Sequence, residues 1–378
     1  MRIDHVRFCV EDAKAVSQWL CRRLGFRRRG SGWWQGCQVE WVAAGAVQFV
    51  VCAPGASTSF AAQFLRRYAA GVADVVFQVG NLEQAIAQAT ANGATLLQPL
   101  QVDQQPHGQL KWATIAAWGS LTHTLVERHG QTTLLPQMAG LQSAWPPLEG
   151  PEATHSPTEP AAPQTIDHVV LNVGPGGLAG AETWYEQVFG FQPDQGFVIQ
   201  TEYSALHSRV MRHPSGHIQM PINEPASPNS QIQEFLEHHR GPGIQHIALH
   251  TQDLLTAIAQ FRKAGLPLIT VPEHYYHQLR DRPACPVSPA TLDQLAENQL
   301  LIDWQADPNT GVLLQTFTQP VFQQPTFFFE LIERQAHPAA LEPVLAQGFG
   351  EGNFRALFEA IEQEQMKRGS LAQTRGDS

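Results

Sequence analysis

His168, His246 and Glu330 are the residues whose types and settings best suit metal chemistry. Each lies in a short apolar run: HVVLNV at 168–173, HIALH at 246–250 and TFFFELI at 326–332. A carboxylate inside TFFFELI is costly to bury without a partner, and a bound cation removes that cost. Alternate strand residues share a face, so His168 goes with Val170 and Asn172, His246 with Ala248 and His250, and Glu330 with Phe328 and Ile332. Two neutral imidazoles and one carboxylate make the facial ligand set of non-haem Fe(II) oxygenases, which leaves coordination positions open. Hydrolytic zinc enzymes also use two His and one Glu, so the residues alone leave iron and zinc both standing. A lone strand histidine is more often a hydrogen-bonded core residue. The case therefore needs a control.

The chain supplies one, because it repeats itself. IDHVRF at 3–8 matches IDHVVL at 166–171, and WLCRRLGF at 19–26 matches WYEQVFGF at 184–191. AIAQ recurs at 85–88 and 257–260, and LTHTLVER at 121–128 matches FFFELIER at 327–334. Alignment sets His5 opposite His168, Asp74 opposite His246 and Thr124 opposite Glu330. The first half keeps one of three ligand types, so the scaffold does not require the trio, and its presence in the second half points to function. His5 reads as structural.

The elements that must carry these residues follow from periodicity. The pattern is strand, helix, then several strands, repeated, with two smaller units in each half. HVVLNV reads as a buried strand and GAETWYEQVFG at 180–190 as a helix ending in Gly190. LLTAIAQFRKAG reads as an amphipathic helix stopped by Gly265. VLLQTFT at 312–318 and TFFFELI read as strands joined by a Pro-bounded turn, and GNFRALFEAIEQEQMKRG at 352–369 as a C-terminal helix with Phe354 and Phe358 on one face. Domains are expected at 1–132, with a degenerate metal site, and at 165–366, with the metal site and a closing helix. A Pro/Ala-rich linker at 133–164 and a polar, frayed tail at 367–378 complete the division.

Composition sets the outer limits. With 378 residues, 43% of them hydrophobic and 15% charged, the chain is long enough for two globular domains. A formal net charge of −10 argues against nucleic-acid and anionic-membrane partners. The five cysteines form no CxxC pair and read as reduced cytosolic thiols. No run of eighteen apolar residues and no signal-peptide core is present, so the expectation is a soluble, cytoplasmic protein. No GxGxxG or Walker-type motif calls for a nucleotide cofactor.

From about 165 to 363 the chain carries TIDHVVLNV, MPINEPASPNSQIQEFLEHHRGPGIQHIALHT, VPEHYYHQL, VLLQTFTQP, TFFFELIER and GFGEGNFRALFEAIE. On these segments the second half resembles the 4-hydroxyphenylpyruvate dioxygenases of the vicinal oxygen chelate superfamily. The first half resembles that family's non-catalytic domain in position and repeat pattern. The resemblance implies an α+β fold: two homologous domains of paired βαβββ modules, each an open curved sheet with outer helices, plus a C-terminal helix. It implies one Fe(II) per chain on His168, His246 and Glu330, with no 2-oxoglutarate and no nicotinamide. Ser208, Asn223, Gln231, Gln245 and Gln315 match the family's polar pocket residues, and Phe317 and Phe328 its walls. Phe349, Phe354 and Phe358 match the segment that closes over substrate. The region 276–311 keeps the family's plan but has an unfamiliar Pro-rich middle.

The implied reaction takes an aryl 2-oxo acid, 4-hydroxyphenylpyruvate, and O2 to homogentisate and CO2, as in tyrosine catabolism, in a homo-oligomer (dimer or tetramer). The nearest alternative is 4-hydroxymandelate synthase, which uses the same substrate and ligand set but hydroxylates the benzylic carbon. Phe317 and Pro221 stand where pocket shape decides between them, and both match the dioxygenase. Extradiol ring cleavage and a non-catalytic aryl-acid binding protein are more distant alternatives.

Overall fold

Strand, helix and three strands recur four times along the chain. The computed structural model describes residues 1–136, 162–282, 285–304, 311–336 and 345–371. In the first half the order is β1 (Arg2–Cys9), α1 (Ala13–Leu24), β2 (Arg27–Trp34), β3 (Cys37–Ala44), β4 (Val47–Pro54) and α2 (Phe60–Arg67). It continues with β5 (Gly71–Gln78), α3 (Leu82–Ala91), β6 (Leu96–Gln105), β7 (Gly108–Ala116) and β8 (Thr122–Gly130). The second half begins with β9 (Thr165–Asn172), α4 (Leu178–Phe189), β10 (Gln192–Gln200), β11 (Ala205–Arg212), β12 (Gln219–Pro225) and α5 (Gln231–His239). Then come β13 (Gly243–His250), α6 (Leu254–Lys263), α7 (Glu273–Asp281), α8 (Pro289–Glu297), β14 (Leu301–Trp304), β15 (Val312–Phe317), β16 (Phe328–Arg334) and α9 (Glu351–Arg368).

Each half is one open, curved, eight-stranded sheet, ordered β2-β3-β4-β1-β5-β8-β7-β6 and β10-β11-β12-β9-β13-β16-β15-β14. The α+β fold of paired βαβββ modules with a C-terminal helix is thus as the sequence led us to expect. Helices α7 and α8 are where the halves differ most. They occupy the Pro-rich stretch between α6 and β14 that the first half crosses in four residues, Asn92–Thr95.

Corresponding residues of the two halves have corresponding duties. Asn81 caps α3 and Asp253 caps α6, each accepting from the backbone N–H three residues on. The carboxylates of Glu127 and Glu333 accept from the first N–H of those helices, Leu82 and Leu254, both at 2.6 Å. One face of each sheet joins a hydrophobic core common to both halves, which holds Phe8, Phe49 and Phe77 with Val169, Leu171, Phe329 and Leu331. Phe8 meets Phe327 edge-on at 5.2 Å, and Phe49 stacks on Phe329 at 5.7 Å. The opposite, concave faces are therefore left to line cavities.

The ends of the domains sit differently from the expectation. Leu134 and Leu135, inside the span read as linker, are buried against the first half, and Arg128 donates to the Leu134 carbonyl. The remainder of that linker, 137–161, lies outside the described residues. At the C-terminus α9 runs on to Arg368, and Leu371 is buried. Polar composition suggested fraying there, but Arg368 and Ser370 both bond the buried Glu234. Residues 372–378 lie outside the described residues.

A candidate metal centre in the second half

Three adjacent strands bring the ligand candidates together. On β13, Ala248 sits opposite His168 of β9 on one side and Glu330 of β16 on the other, while His246 is one pleat away, opposite Phe328. Ala248, small and buried, leaves room above it for its two neighbours' side chains. Glu330 Oε2 lies 3.2 Å from His168 Nε2 and 3.5 Å from His246 Nε2. One ligand atom from each residue falls within 4.8 Å of the others, and all three residues are buried.

Strict alternation would turn Asp167 and Gln245 away from this face. Two irregularities overrule it. The β9–β13 register skips Asp167 beside His168 and Gln245 beside His246, so each histidine has its preceding residue bulged next to it. Asp167 Oδ1 accepts from His168 Nδ1 at 2.9 Å, and Gln245 Oε1 from His246 Nδ1 at 3.3 Å. With Nδ1 carrying the proton, Nε2 of each ring presents its lone pair to the centre, as a metal requires. Arg334 fixes Asp167 with two bonds, at 2.6 and 2.8 Å. The first half repeats this outer arrangement: Asp4 against His5 at 2.7 Å, and Arg128 against Asp4 at 2.9 and 2.8 Å. Asp167 and Arg334 escaped the sequence reading, although IDH and ER, present in both halves, were the signal for them.

Electrostatics show what the site demands. Burial pushes the Glu330 carboxyl upward, but the His168 imidazolium and bonds from both histidines hold it below its ordinary range. Burial likewise lowers His168, and the carboxylates of Glu330 and Asp167 more than reverse this, so it is raised. His246 is lowered by burial. Glu330 is thus held ionised in a buried place by the two imidazoles beside it. A divalent cation between these groups satisfies the same charge with three ligands already oriented. The donor set and its geometry fit a metal.

The trio opens on a cavity in the concave face of the second sheet, roughly 630 Å³ with its mouth included. Every pocket residue expected from the sequence lines it. Ser208 and Asn223 pair across β11 and β12. Gln231 sits at the start of α5, buried, with its Oε1 unpartnered. Phe317 pairs with Glu330 across β15 and β16, and Phe328 stacks on His246 at 4.8 Å. Phe349 meets His168 edge-on at 5.2 Å. Phe354, Phe358 and Pro221 complete the expected wall, and Phe197, Ile199 and Ile361 were not anticipated. Gln315 lines the cavity as well, but its amide is already engaged by Glu330 and the Phe349 carbonyl.

In the first half the counterpart cavity, lined by His5, Arg7 and Thr124 among others, already contains a side-chain cation. Arg7, at the position of Val170, turns its guanidinium onto Asp74 and Thr124, the counterparts of His246 and Glu330. Thr124 also donates to Asp74 at 2.6 Å. A built-in cation fills the place.

Comparison with known proteins agrees with this geometry. The family model of the glyoxalase/bleomycin resistance protein/dioxygenase superfamily matches residues 165–282. The chain is 37% identical to 4-hydroxyphenylpyruvate dioxygenase of Caenorhabditis briggsae, over 97% of this chain and 93% of that one. It belongs to the 4-hydroxyphenylpyruvate dioxygenase family. The 4-hydroxyphenylpyruvate dioxygenase of Danio rerio is 32% identical over 98% of this chain and 92% of its own. Among solved structures, a triple mutant of 4-hydroxymandelate synthase from Streptomyces coelicolor superposes with a TM-score of 0.81 at 25% identity, covering 96% of this chain and 98% of that one. A xylose isomerase-like TIM barrel/4-hydroxyphenylpyruvate dioxygenase fusion protein, at 23% identity and TM-score 0.72, shares the fold over 95% of this chain and 52% of its own. For a 4-hydroxyphenylpyruvate dioxygenase family member, the buried trio and its phenylalanine wall are the features that bear on chemistry. Among the described residues no helix is long and apolar enough to cross a membrane.

Proposed function

We propose that this chain converts 4-hydroxyphenylpyruvate and O2 to homogentisate and CO2, with one Fe(II) held by His168, His246 and Glu330. The observation that carries the reading is the buried His-His-Glu trio at the floor of an aromatic cavity, in a chain 37% identical to a 4-hydroxyphenylpyruvate dioxygenase over nearly its full length. Bound Fe(II) supplies coordination positions for the substrate's 2-oxo acid group and for dioxygen, and the oxo acid itself supplies the reducing electrons, so no 2-oxoglutarate is needed. The balance closes: one oxygen atom enters the new carboxylate, the other the ring, and the old carboxylate leaves as CO2.

The chain's own residues bind, orient and exclude water. Asn223 pairs with Asn172, four residues along β9 from His168, which at strand spacing is about 13 Å of backbone. Asn223, Ser208 and Gln231 thus form a polar end suited to a phenol, while the phenylalanines between grip the ring. Phe349 and α9 cover the cavity and keep water from the reacting atoms. Cytoplasmic placement and a homo-oligomer belong to the same proposal.

4-Hydroxymandelate synthase is the second reading, favoured by the structural likeness at 25% identity. Incubating the protein with 4-hydroxyphenylpyruvate, Fe(II) and O2 and analysing the products separates the two. Homogentisate is expected, and 4-hydroxymandelate without homogentisate overturns the choice. Glu330→Gln keeps size but removes the charged ligand. Its turnover should fall by about 100-fold or more, since even outer contacts of a metal site are worth 10–100-fold.

A further inference from the structure

A directional chain of hydrogen bonds leads from Glu330 to the first turn of α9. Gln315 Nε2 donates to Glu330 Oε1 at 2.8 Å and to the Phe349 carbonyl at 2.9 Å. Gln315 Oε1 accepts from Asn353 Nδ2 at 2.8 Å, and Asn353 Oδ1 accepts from the Tyr275 hydroxyl at 2.6 Å. The Tyr275 oxygen accepts in turn from the Ile302 N–H at 2.8 Å, and its one proton goes to Asn353 at 2.6 Å in preference to the longer contact with the Ile302 carbonyl at 2.9 Å. Gln315, Asn353 and Tyr275 are all buried.

The polarity of this chain is dictated from one end. An ionised carboxylate only accepts, so Gln315 must turn its NH2 to Glu330. Its carbonyl then faces Asn353, which must answer with its own NH2, and the Asn353 carbonyl must find a donor, which Tyr275 supplies. The outcome at the metal end is that Oε1 of Glu330 is held by Gln315, and Oε2 is the oxygen nearest both imidazoles.

The segment GEGN is shaped for this approach. A Cβ on Gly350 (φ +76°) would lie 2.0 Å from Gln315 Oε1, and one on Gly352 would lie 2.3 Å from Asp303 Oδ1. Asp303 Oδ2 meanwhile accepts from the Gly352 N–H at 2.9 Å. Only glycine lets the entry to α9 close onto Gln315.

We propose that Asn353 and Tyr275 are positioning residues for the metal centre. They fix the amide of Gln315, which presents Glu330 to the metal through a single oxygen, and so couple metal binding to the seating of α9. This rests on the reading of His168, His246 and Glu330 as ligands.

The test is a Co(II) titration of metal-free protein, followed by the visible absorption of the bound ion with a chelator in competition. Wild type is compared with Asn353→Ala, Asn353→Asp and Tyr275→Phe, with Tm measured for each. Asp is nearly isosteric with Asn but cannot donate when ionised. It sets oxygen against Gln315 Oε1 and drives the amide to flip, which turns an oxygen onto Glu330. Co(II) affinity should fall roughly 10–100-fold with a changed spectrum, the range seen when outer-shell partners are lost. Alanine leaves the Gln315 NH2 held by Glu330 and Phe349, so its loss should be smaller. A space-filling role predicts the reverse order, Ala worse than Asp, because only Ala opens a cavity. That reverse order, or unchanged affinity and spectrum in both variants, overturns the proposal while leaving the ligand assignment intact. Wild type that binds no Co(II) overturns both. If Asn353→Asp does not fold, Tyr275→Phe decides: reduced affinity with an altered spectrum supports the role, and wild-type behaviour overturns it. Amide exchange offers a second readout. Residues 350–358 should be slowed by Co(II) in wild type and not in Asn353→Asp.

Discussion

At the scale of single residues, Arg7 is the most instructive substitution between the halves. Its guanidinium and the buried Asp74 satisfy each other in a place where the second half gathers two imidazoles and a carboxylate. Removing one member of a buried ion pair leaves an uncompensated charge, whereas removing both need cost little. Arg7→Val, which copies Val170, should therefore destabilise the protein by about 3–5 kcal/mol. Arg7→Val with Asp74→Ala should recover most of that. Urea unfolding of the three proteins checks it, and equal losses in single and double variants would refute the compensation argument. The substitution also explains how the first half could lose its ligands: a side chain took over the duty of the cation.

At the scale of elements, α9 is fastened at both ends by different means. Its first turn is tied to Gln315 and Asp303. Its middle is held by Glu362, which accepts from Thr201 at 2.6 Å and Ser204 at 2.5 Å. Phe354 meets Phe197 edge-on at 5.1 Å across the cavity. Its last turn is held by Glu234, which accepts from Arg368 at 2.9 Å and Ser370 at 2.6 Å. The Glu234 contact is remote from the ligands, so Glu234→Ala should loosen the end of the helix alone. Amide exchange over 365–371 should quicken on the order of tenfold, the equivalent of one charge-assisted hydrogen bond, with metal affinity unchanged. Mass-spectrometric exchange measures it, and unchanged protection would show that packing, not Glu234, seats this turn. Periodicity revealed α9 because Phe354 and Phe358 recur at helical spacing. It could not reveal the partners, which lie on β14, β15, α5, α7, and β10 with the turn into β11.

At the scale of the whole molecule, the halves are locked by side chains that cross between them. His123 of β8 enters an aromatic group of α4: Trp184, Tyr185 and Phe189. Its Nδ1 donates to the Val75 carbonyl at 2.9 Å, and its Nε2 accepts from the Tyr185 hydroxyl at 3.0 Å. His239 of α5 reaches the other way and stacks on Tyr68 at 5.5 Å. Burial lowers both histidines to about 4, opposed by the bond to the Val75 carbonyl at His123 and by the bond to the Gly241 carbonyl at His239. Both stay neutral in the folded protein between pH 4 and 6.5, while the unfolded chain takes up protons there. Stability must fall as pH drops through that window and level out below it. For His123 the loss is on the order of 3 kcal/mol, since each pH unit crossed in that window costs about 1.4 kcal/mol. Urea unfolding at pH 7 and pH 5 should show it, with a shallower dependence in His123→Gln; equal slopes in the two proteins would remove His123 from the account.

The sequence by itself determined the repeat, its strand, helix and strands pattern and the three ligand candidates, while the pocket residues and the βαβββ modules came from the family resemblance. It could do so because strand and helix periods are local and because a carboxylate in TFFFELI is an anomaly that chemistry must explain. The tertiary structure alone decided how those residues work. Alternation by two cannot foresee the bulges that bring Asp167 and Gln245 beside their histidines, because a bulge is a property of a strand pair and not of a strand. Nor can it foresee that Gln315 spends its amide on Glu330, or that Arg7 replaces a metal, because those contacts join residues far apart in the chain. The ligands were legible as residue types. Their orientation, and the closing of α9 upon them, exists only once the strands are side by side.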